Sequence, residues 1–295
     1  MAEGEFLGTR TDVRPWTLPA GAPADLKPQG LYLGEGRTPL EVAVAAAHRR
    51  PTTTELRELW QARHGSTPSP LLIVVLHPGA DGPAASVCGP VPPSPAPVSG
   101  LPRDQVERIA ATALAEPNRH AAVRFLQEVL PEADSQLPGV RNIGLVASHE
   151  LQVGVPARRD WQEACGSAVP LLALRGRSLV EGLGFSVEER GTSTYVLRAG
   201  DVAAAVAVFL EADETPEAEN VAYGFISPIS AALARADTEQ LPYVLITRGP
   251  EVRVYAARAE AGVGRRGRAE TYVAANLGLL PMRQAGYLPL IFACD

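Results

Sequence analysis

Lysine is almost missing from this chain: of its 27 Lys and Arg residues, only Lys27 is a lysine. Arginine does not replace lysine chemically, because its planar guanidinium stays protonated and binds through a rigid fork of donors. Any reaction that needs a lysine must therefore use Lys27, which lies in a proline-rich stretch near the N-terminus.

Cysteine is scarce as well: Cys88, Cys165 and Cys294 are an odd, scattered set with no CxxC spacing. The pattern argues against a disulfide framework and a zinc site, and it favours a reducing, cytoplasmic location. Long apolar runs are also lacking, so the sequence predicts no transmembrane helix and no membrane partner. The N-terminus lacks the basic stretch and apolar core of a secretory signal.

The 295 residues can bury a sizeable core and suggest one large or two modest domains. The net charge of −6 provides no overall attraction to nucleic acid, so any DNA contact must come from a local patch. From the clustering of glycine and proline we predict a Pro/Gly-rich arm at 1–40, a small α/β domain at 41–138, a connector at 139–160 and a larger α/β domain at 161–295.

Apolar periodicity in the first half predicts helices at 39–48, 54–63, 103–115 and 118–130. Thr38 and Asn118 are the expected N-caps of the first and last of these helices. The run PLLIVVLHPG (70–79) predicts a buried strand with 84–88 as its hairpin partner, and the stretch 89–102 is expected to be a stiff loop.

The second half predicts a mixed central sheet flanked by helices, so the expected fold class is α/β (α+β). A helix that we expect to begin near Trp161 ends at Gly184, and a second helix starts at the N-cap Ser227. Strands are expected at 185–189, 194–199, 203–212, 243–247 and 251–257. The element order is α-β-β-β-α-β-β.

This order resembles the common core of the PD-(D/E)XK nuclease fold, in which an Asp opens one strand and an acidic-x-Lys triplet lies on the next. Two carboxylates hold Mg²⁺, which lowers the pKa of a bound water. The resemblance implies that Asp201 and Glu211 are metal ligands and that Asp213 completes the triplet. Residues two apart on a strand share a face, so Glu211 and Asp213 are expected to point the same way, with Glu181 as a further carboxylate.

Three further segments resemble the N-terminal nuclease-like region of type IIG-like restriction–modification proteins, single chains that also carry a DNA adenine methylase. They are YVLITRGPEVRVY (243–255), GLVASHELQVGVPARRDW (144–161) and GVGRRGRAETYV (262–273). The resemblance covers residues 100–295. It implies a bacterial anti-phage defence function, with DNA as one partner and a methyltransferase domain or subunit as another.

The chain departs from that family at the residue that matters most for cleavage. Asp213 stands where the family has its catalytic lysine, and a third carboxylate adds repulsion instead of a proton donor. The glycine-rich S-adenosylmethionine motif and the Asn-Pro-Pro-Tyr/Phe motif of adenine methylases are also missing. We therefore expect a degenerate nuclease fold that does not methylate DNA by itself.

Arginine is concentrated between Arg248 and Arg268, where six Arg residues stand against Glu251 and Glu260. Guanidinium groups beside flexible glycines suit contacts to DNA phosphates, although a solvated charged turn would have the same composition. The residues predicted to bind DNA are Arg248, Arg253, Arg265, Arg266 and Arg268.

Three functions are compatible with these patterns. The first is a DNA- or partner-binding module of a restriction–modification or anti-phage system whose nuclease fold is catalytically degenerate. The second is an active Mg²⁺-dependent DNA endonuclease, with Mg²⁺ as its cofactor and Glu181, Asp201, Glu211 and Asp213 as its acidic residues. The third is a structural protein–protein interaction module without nucleic acid.

Overall fold

A computed structural model gives the fold of the chain as two compact units, Met1–Pro138 and Gly139–Asp295. Each unit is built on one mixed sheet with helices packed against it. The structure describes residues 6–8, 13–20, 22–23, 25–36, 38–65, 69–80, 82–90, 96–190, 193–258 and 267–293. The predicted mixed α/β class is confirmed.

Unit 1 contains a five-stranded sheet in which the strands lie in chain order. Its central pair, β2 and β3, is parallel, and the other neighbouring pairs are antiparallel. The predicted buried strand and its hairpin partner are confirmed as β3 and β4. The strands are β1 (Lys27–Leu33), β2 (Glu41–Ala46), β3 (Leu71–Gly79), β4 (Gly82–Gly89) and β5 (Ala96–Pro102).

Three helices cover this sheet: α1 (Thr53–His64), α2 (Arg103–Ala115) and α3 (Arg119–Val129). All three match predicted helices, and Asn118 caps α3 as expected. Thr52 and Glu55 form a capping box at the start of α1, which satisfies two backbone N–H groups that have no partner inside the helix. Consecutive residues of the inner strands β2, β3 and β4 are buried, so this part of the sheet is covered on both faces.

The predicted helix at 39–48 is wrong, because residues 41–46 form β2 and Thr38 has a positive φ of 48° that is incompatible with an N-cap. Every residue from Glu41 to Ala45 is buried. A central strand covered on both faces is apolar throughout, so its valines and alanines lack the alternation that identifies a half-exposed strand.

Two predicted irregular segments of unit 1 also contain strands. Lys27–Leu33 pairs with β2 as β1, so the predicted arm contributes to the sheet. Ala96–Pro102 pairs with β4 as β5, so the predicted stiff loop contains the other edge strand. Prolines are tolerated on edge strands because one side of the strand needs no ladder hydrogen bonds, and composition alone does not separate this case from a loop.

Unit 2 contains a seven-stranded mixed sheet in the order β6-β12-β11-β10-β9-β8-β7. Only β9 and β10 are parallel, and the other neighbours are antiparallel. The strands are β6 (Val140–Ile143), β7 (Ser186–Glu189), β8 (Tyr195–Ala199), β9 (Val202–Leu210), β10 (Tyr243–Arg248), β11 (Glu251–Ala256) and β12 (Tyr272–Asn276).

The helices of unit 2 are α4 (Trp161–Ala168), α5 (Gly176–Gly182), α6 (Pro228–Glu239) and α7 (Tyr287–Phe292). The predicted order α-β-β-β-α-β-β is confirmed over α5, β7, β8, β9, α6, β10 and β11. Ser227 caps α6 by accepting a hydrogen bond from the Ser230 N–H. Helix α6 packs its apolar side on β9 and β10, where Val206, Val244 and Ile246 form part of the core.

Three details of unit 2 differ from the prediction. The helix expected from Trp161 to Gly184 is interrupted by a 3₁₀ turn at Val169–Ala173 and by extended backbone at Arg175. The predicted connector begins with β6, which pairs with β12 at the edge of the sheet. In the part of the chain that the structure describes, every helix is too short or too polar to cross a membrane.

Candidate functional site

The carboxylates expected to hold Mg²⁺ do not converge, which corrects the predicted metal site. Asp201 is exposed in the turn that precedes β9, and Glu211 is exposed just beyond the opposite end of the same strand. Because a strand rises about 3.3 Å per residue, these two positions are roughly 30 Å apart. A shared ion requires both carboxylates within its coordination distance, so Asp201 and Glu211 do not bind the same metal.

Glu211 and Asp213 do not share a strand face either, because β9 ends at Leu210 and the chain turns there. The carboxylate of Glu214 closes this turn by accepting a hydrogen bond from the Glu211 N–H at 2.8 Å. Glu181 lies on the exposed side of α5 and pairs with Arg177 one turn earlier, at 2.9 Å. Of the predicted catalytic carboxylates, Glu181 is thus part of a surface ion pair on its own helix.

Among the described residues, no group of three or more His, Cys, Asp or Glu side chains is placed to hold a metal ion. The residues present thus do not fit the Mg²⁺ centre that the nuclease resemblance implies.

Three of the arginines predicted to bind DNA, Arg248, Arg253 and Arg268, form ion pairs within the chain. Arg268 donates from both terminal nitrogens to both oxygens of Asp237 on α6, at 2.6 and 2.5 Å, and also to the Ala257 carbonyl oxygen. These bonds fasten the start of β12 to α6, so Arg268 positions the backbone. Arg265 and Arg266 lie outside the described residues.

Arg253 is the centre of a buried charged cluster on the side of the sheet that α6 covers. Its guanidinium binds the Glu217 carboxylate at 2.5 Å and the Glu251 carboxylate at 3.1 Å, and it lies 5.0 Å from the centre of the Tyr272 ring. It also donates to the Tyr255 hydroxyl at 3.4 Å. The Arg253 side chain is only 8% exposed, so phosphate cannot reach it and the predicted DNA contact is wrong.

Electrostatics inside this arginine cluster fix its charge state. Burial lowers the pKa of the Arg253 guanidinium, but the Glu251 carboxylate and the Tyr255 hydroxyl raise it by more, so that pKa lies above its ordinary value. Burial raises the pKa of Tyr255, while Arg253 acts in the opposite direction. Arg248 borders the cluster and pairs with Glu251 at 3.5 Å. The opposite charges of these groups balance one another, and their contacts hold this end of the sheet together.

The loop between β9 and α6 presents an apolar tip formed by Val221, Phe225 and Ile226, whose residues are 73%, 70% and 43% exposed. Hydrogen bonds of Asn220 hold the loop in place beside the tip. The Asn220 side chain accepts from the Ala222 N–H at 2.9 Å and donates to Glu214 at 2.7 Å.

Phe225 has a positive φ of 64°, which is unusual for a bulky residue. Such backbone strain persists only where the surrounding structure imposes it, and the Phe225 N–H is held by the Asn220 carbonyl oxygen at 3.2 Å. The loop therefore holds a large aromatic ring in solvent, where hydration of its apolar surface is unfavourable.

The face of the unit 2 sheet that α6 does not cover opens into a cavity of about 700 Å³. Successive strand residues point to opposite faces, so Ala205, Leu245 and Val254 lie on this uncovered face. The other walls come from a π-helical turn at Glu150–Gly154, from Phe185 and from the second half of α7. The volume lies inside the range of roughly 300–1,000 Å³ that is common for small-molecule sites.

Sequence reasoning missed all three of these features for identifiable reasons. The arginine cluster depends on Glu217, which belongs to a loop and contacts β11 only after folding. The cavity depends on strands and a helix that are far apart in the chain. The tip left a readable signal, because Val221, Phe225 and Ile226 are large apolar residues without periodicity directly before the N-cap Ser227.

Comparisons with known proteins add no family assignment. No protein-family model, curated protein or solved structure gave a significant match to this chain.

Proposed function

We propose that this chain is a binding module of a restriction–modification or anti-phage defence system, built on a nuclease-like sheet that does not cut DNA. The observation that carries the proposal is the separation of Asp201 and Glu211 by the length of β9, on a sheet whose element order is α-β-β-β-α-β-β. The order favours a nuclease-like ancestry, and the separation removes the metal site that cleavage needs.

A methyltransferase domain or subunit is the proposed partner, and the apolar tip is the proposed contact surface. Aromatic and large aliphatic side chains dominate the energetics of protein interfaces when they insert into a pocket of the partner. Phe225 meets this requirement because its ring is exposed while its backbone is held in place. A fixed side chain loses little conformational entropy on binding, which increases affinity.

Replacing Phe225 and Ile226 together with Asp should weaken binding to a co-expressed methyltransferase component about tenfold or more, because these are the exposed anchors of the tip. Val202→Asp is the matched control, since Val202 is 68% exposed at the opposite end of β9. The affinity is measured by titrating the purified partner into each variant in a calorimeter. An equal loss of affinity in the Val202 variant would mean that the tip is not the contact surface.

DNA is the second proposed partner, and exposed Arg258 favours it because this residue directly follows β11 in the arginine-rich segment. With Arg248, Arg253 and Arg268 paired within the chain, the proposed phosphate contacts are Arg258, Arg265 and Arg266. This interaction is electrostatic and independent of sequence, so it weakens steeply as salt concentration rises.

The double variant Arg265→Ala/Arg266→Ala should lower the affinity for duplex DNA and flatten the dependence of log K on log salt by about two units, one for each phosphate that is no longer bound. Arg268→Ala is the control, and its salt slope should equal that of the parent. Fluorescence anisotropy of labelled duplexes measures both quantities, and the same duplexes should stay intact with Mg²⁺ or Mn²⁺. If the parent cleaves these duplexes and Glu211→Ala does not, the chain is an active endonuclease and the binding-module proposal is wrong.

A further inference from the structure

The cavity on the uncovered face of the unit 2 sheet has the chemistry of an amphiphile site. Its walls are aliphatic and aromatic side chains from β9, β10, β11 and α7. The cavity is open to solvent on one side, and polar atoms contribute to its lining beside the larger apolar part. Transfer of a hydrocarbon chain from water to these walls is favourable in proportion to the apolar area that it buries.

One charged residue stands among the described residues that line the cavity, and it is Arg258. Arg258 is exposed and follows β11, whose last residue, Ala256, faces Tyr243 across the β10–β11 ladder. Tyr243 is 50% exposed and also lines the cavity. Arg258 and Tyr243 therefore belong to the same end of the β10–β11 ladder, and both line the cavity.

These two groups determine which kind of head group a ligand of the cavity can carry. A guanidinium offers a planar fork of N–H donors that matches a carboxylate, and a phenol adds one more donor. The described lining contains no Asp or Glu, so a carboxylate head meets no repulsion there, whereas an ammonium head would face Arg258. The combination of an apolar interior with a cation at the mouth matches one ligand class.

We propose that unit 2 binds a small aliphatic monocarboxylate, with its hydrocarbon chain in the cavity and its carboxylate on Arg258 and Tyr243. The site is separate from the apolar tip, which lies beyond the opposite ends of β9 and β10, but it shares Arg258 with the proposed DNA contact. Bound ligand stabilises the folded unit by mass action, since the unfolded chain has no such cavity.

The probes are dodecanoate and 1-dodecanol at micromolar concentration, which share a hydrocarbon chain and differ in the head group. Dodecanoate should raise the thermal unfolding temperature of the full chain and displace a fluorescent fatty-acid probe. Arg258→Gln should weaken dodecanoate binding about threefold to tenfold, as expected for one partly exposed charge pair, and leave dodecanol binding unchanged. Arg258→Lys, which keeps the charge, should recover part of the loss.

A cavity-filling variant tests the location of the hydrocarbon chain. Ala256→Trp adds bulk inside the cavity and should abolish binding of both probes, whereas Val202→Trp adds the same bulk outside it and should bind like the parent. Circular dichroism verifies that both variants are folded. If dodecanoate and dodecanol bind the parent equally and Arg258→Gln changes neither, or if dodecanoate does not bind the parent at all, the proposal is overturned.

Discussion

Arg253→Met should destabilise unit 2 by about 3–5 kcal/mol, because removing one member of a buried ion pair leaves its partner charged and desolvated. The group that loses its nearer partner is Glu251, whose side chain is 12% exposed: Arg253 binds it at 3.1 Å and Arg248 at 3.5 Å. Glu217 is 55% exposed and returns to water at little cost. The Tyr255 hydroxyl is also deprived of the hydrogen bond that the guanidinium donates. Urea unfolding monitored by circular dichroism measures the change in stability.

Two further variants separate this explanation from a general effect of removing an arginine. Arg177→Met breaks the exposed pair with Glu181 on α5 and should cost no more than about 1 kcal/mol. Adding Glu251→Leu to Arg253→Met should recover part of the stability, because the buried carboxylate that keeps only the longer pair with Arg248 is then gone. If the single Arg253 variant unfolds at the same urea concentration as the parent, the cluster does not stabilise the sheet.

Local sequence signals predicted the elements that are determined locally. Helix α1 follows from the apolar side formed by Leu56, Leu59 and Trp60, and β3 follows from its unbroken apolar run. The same signals failed for β2, because its short run EVAVAA is rich in alanine, a strong helix former, and follows a Thr-Pro pair typical of a helix start. They failed for β12 and for the edge strand β6 as well, since β12 is determined by pairing with β11 and β6 by pairing with β12.

The site was less predictable than the fold, because a site depends on distances between segments. The acidic residues of unit 2 have the spacing of a nuclease motif, yet β9 is long enough to keep Asp201 and Glu211 at opposite ends. Composition likewise shows that arginines are concentrated between 248 and 268. It does not show that Arg253 pairs with Glu217 or that Arg268 pairs with Asp237. Partners more than thirty residues away leave no local pattern.

Trp60→Ala should destabilise unit 1 by about 3–5 kcal/mol, since a buried indole is replaced by a cavity that the surroundings fill only in part. Trp60 lies on α1 at 2% exposure, stacks on His64 with ring centres 4.4 Å apart, and donates to the Leu71 carbonyl oxygen at 2.7 Å. It therefore joins α1 to the first residue of β3 through both packing and a directed hydrogen bond.

The substitution Trp60→Phe separates these two contributions. Phenylalanine keeps most of the apolar packing and lacks the donor, so the cost should fall to about 1–2 kcal/mol, near that of one unmade buried hydrogen bond. Gln61→Ala, on the exposed side of the same helix, should change stability by less than about 0.5 kcal/mol. Urea unfolding gives the three values, and hydrogen exchange of β3 assigns them to unit 1. Equal costs for Trp60→Ala and Trp60→Phe would mean that the hydrogen bond to Leu71, and not the packing of the indole, holds α1 on the sheet.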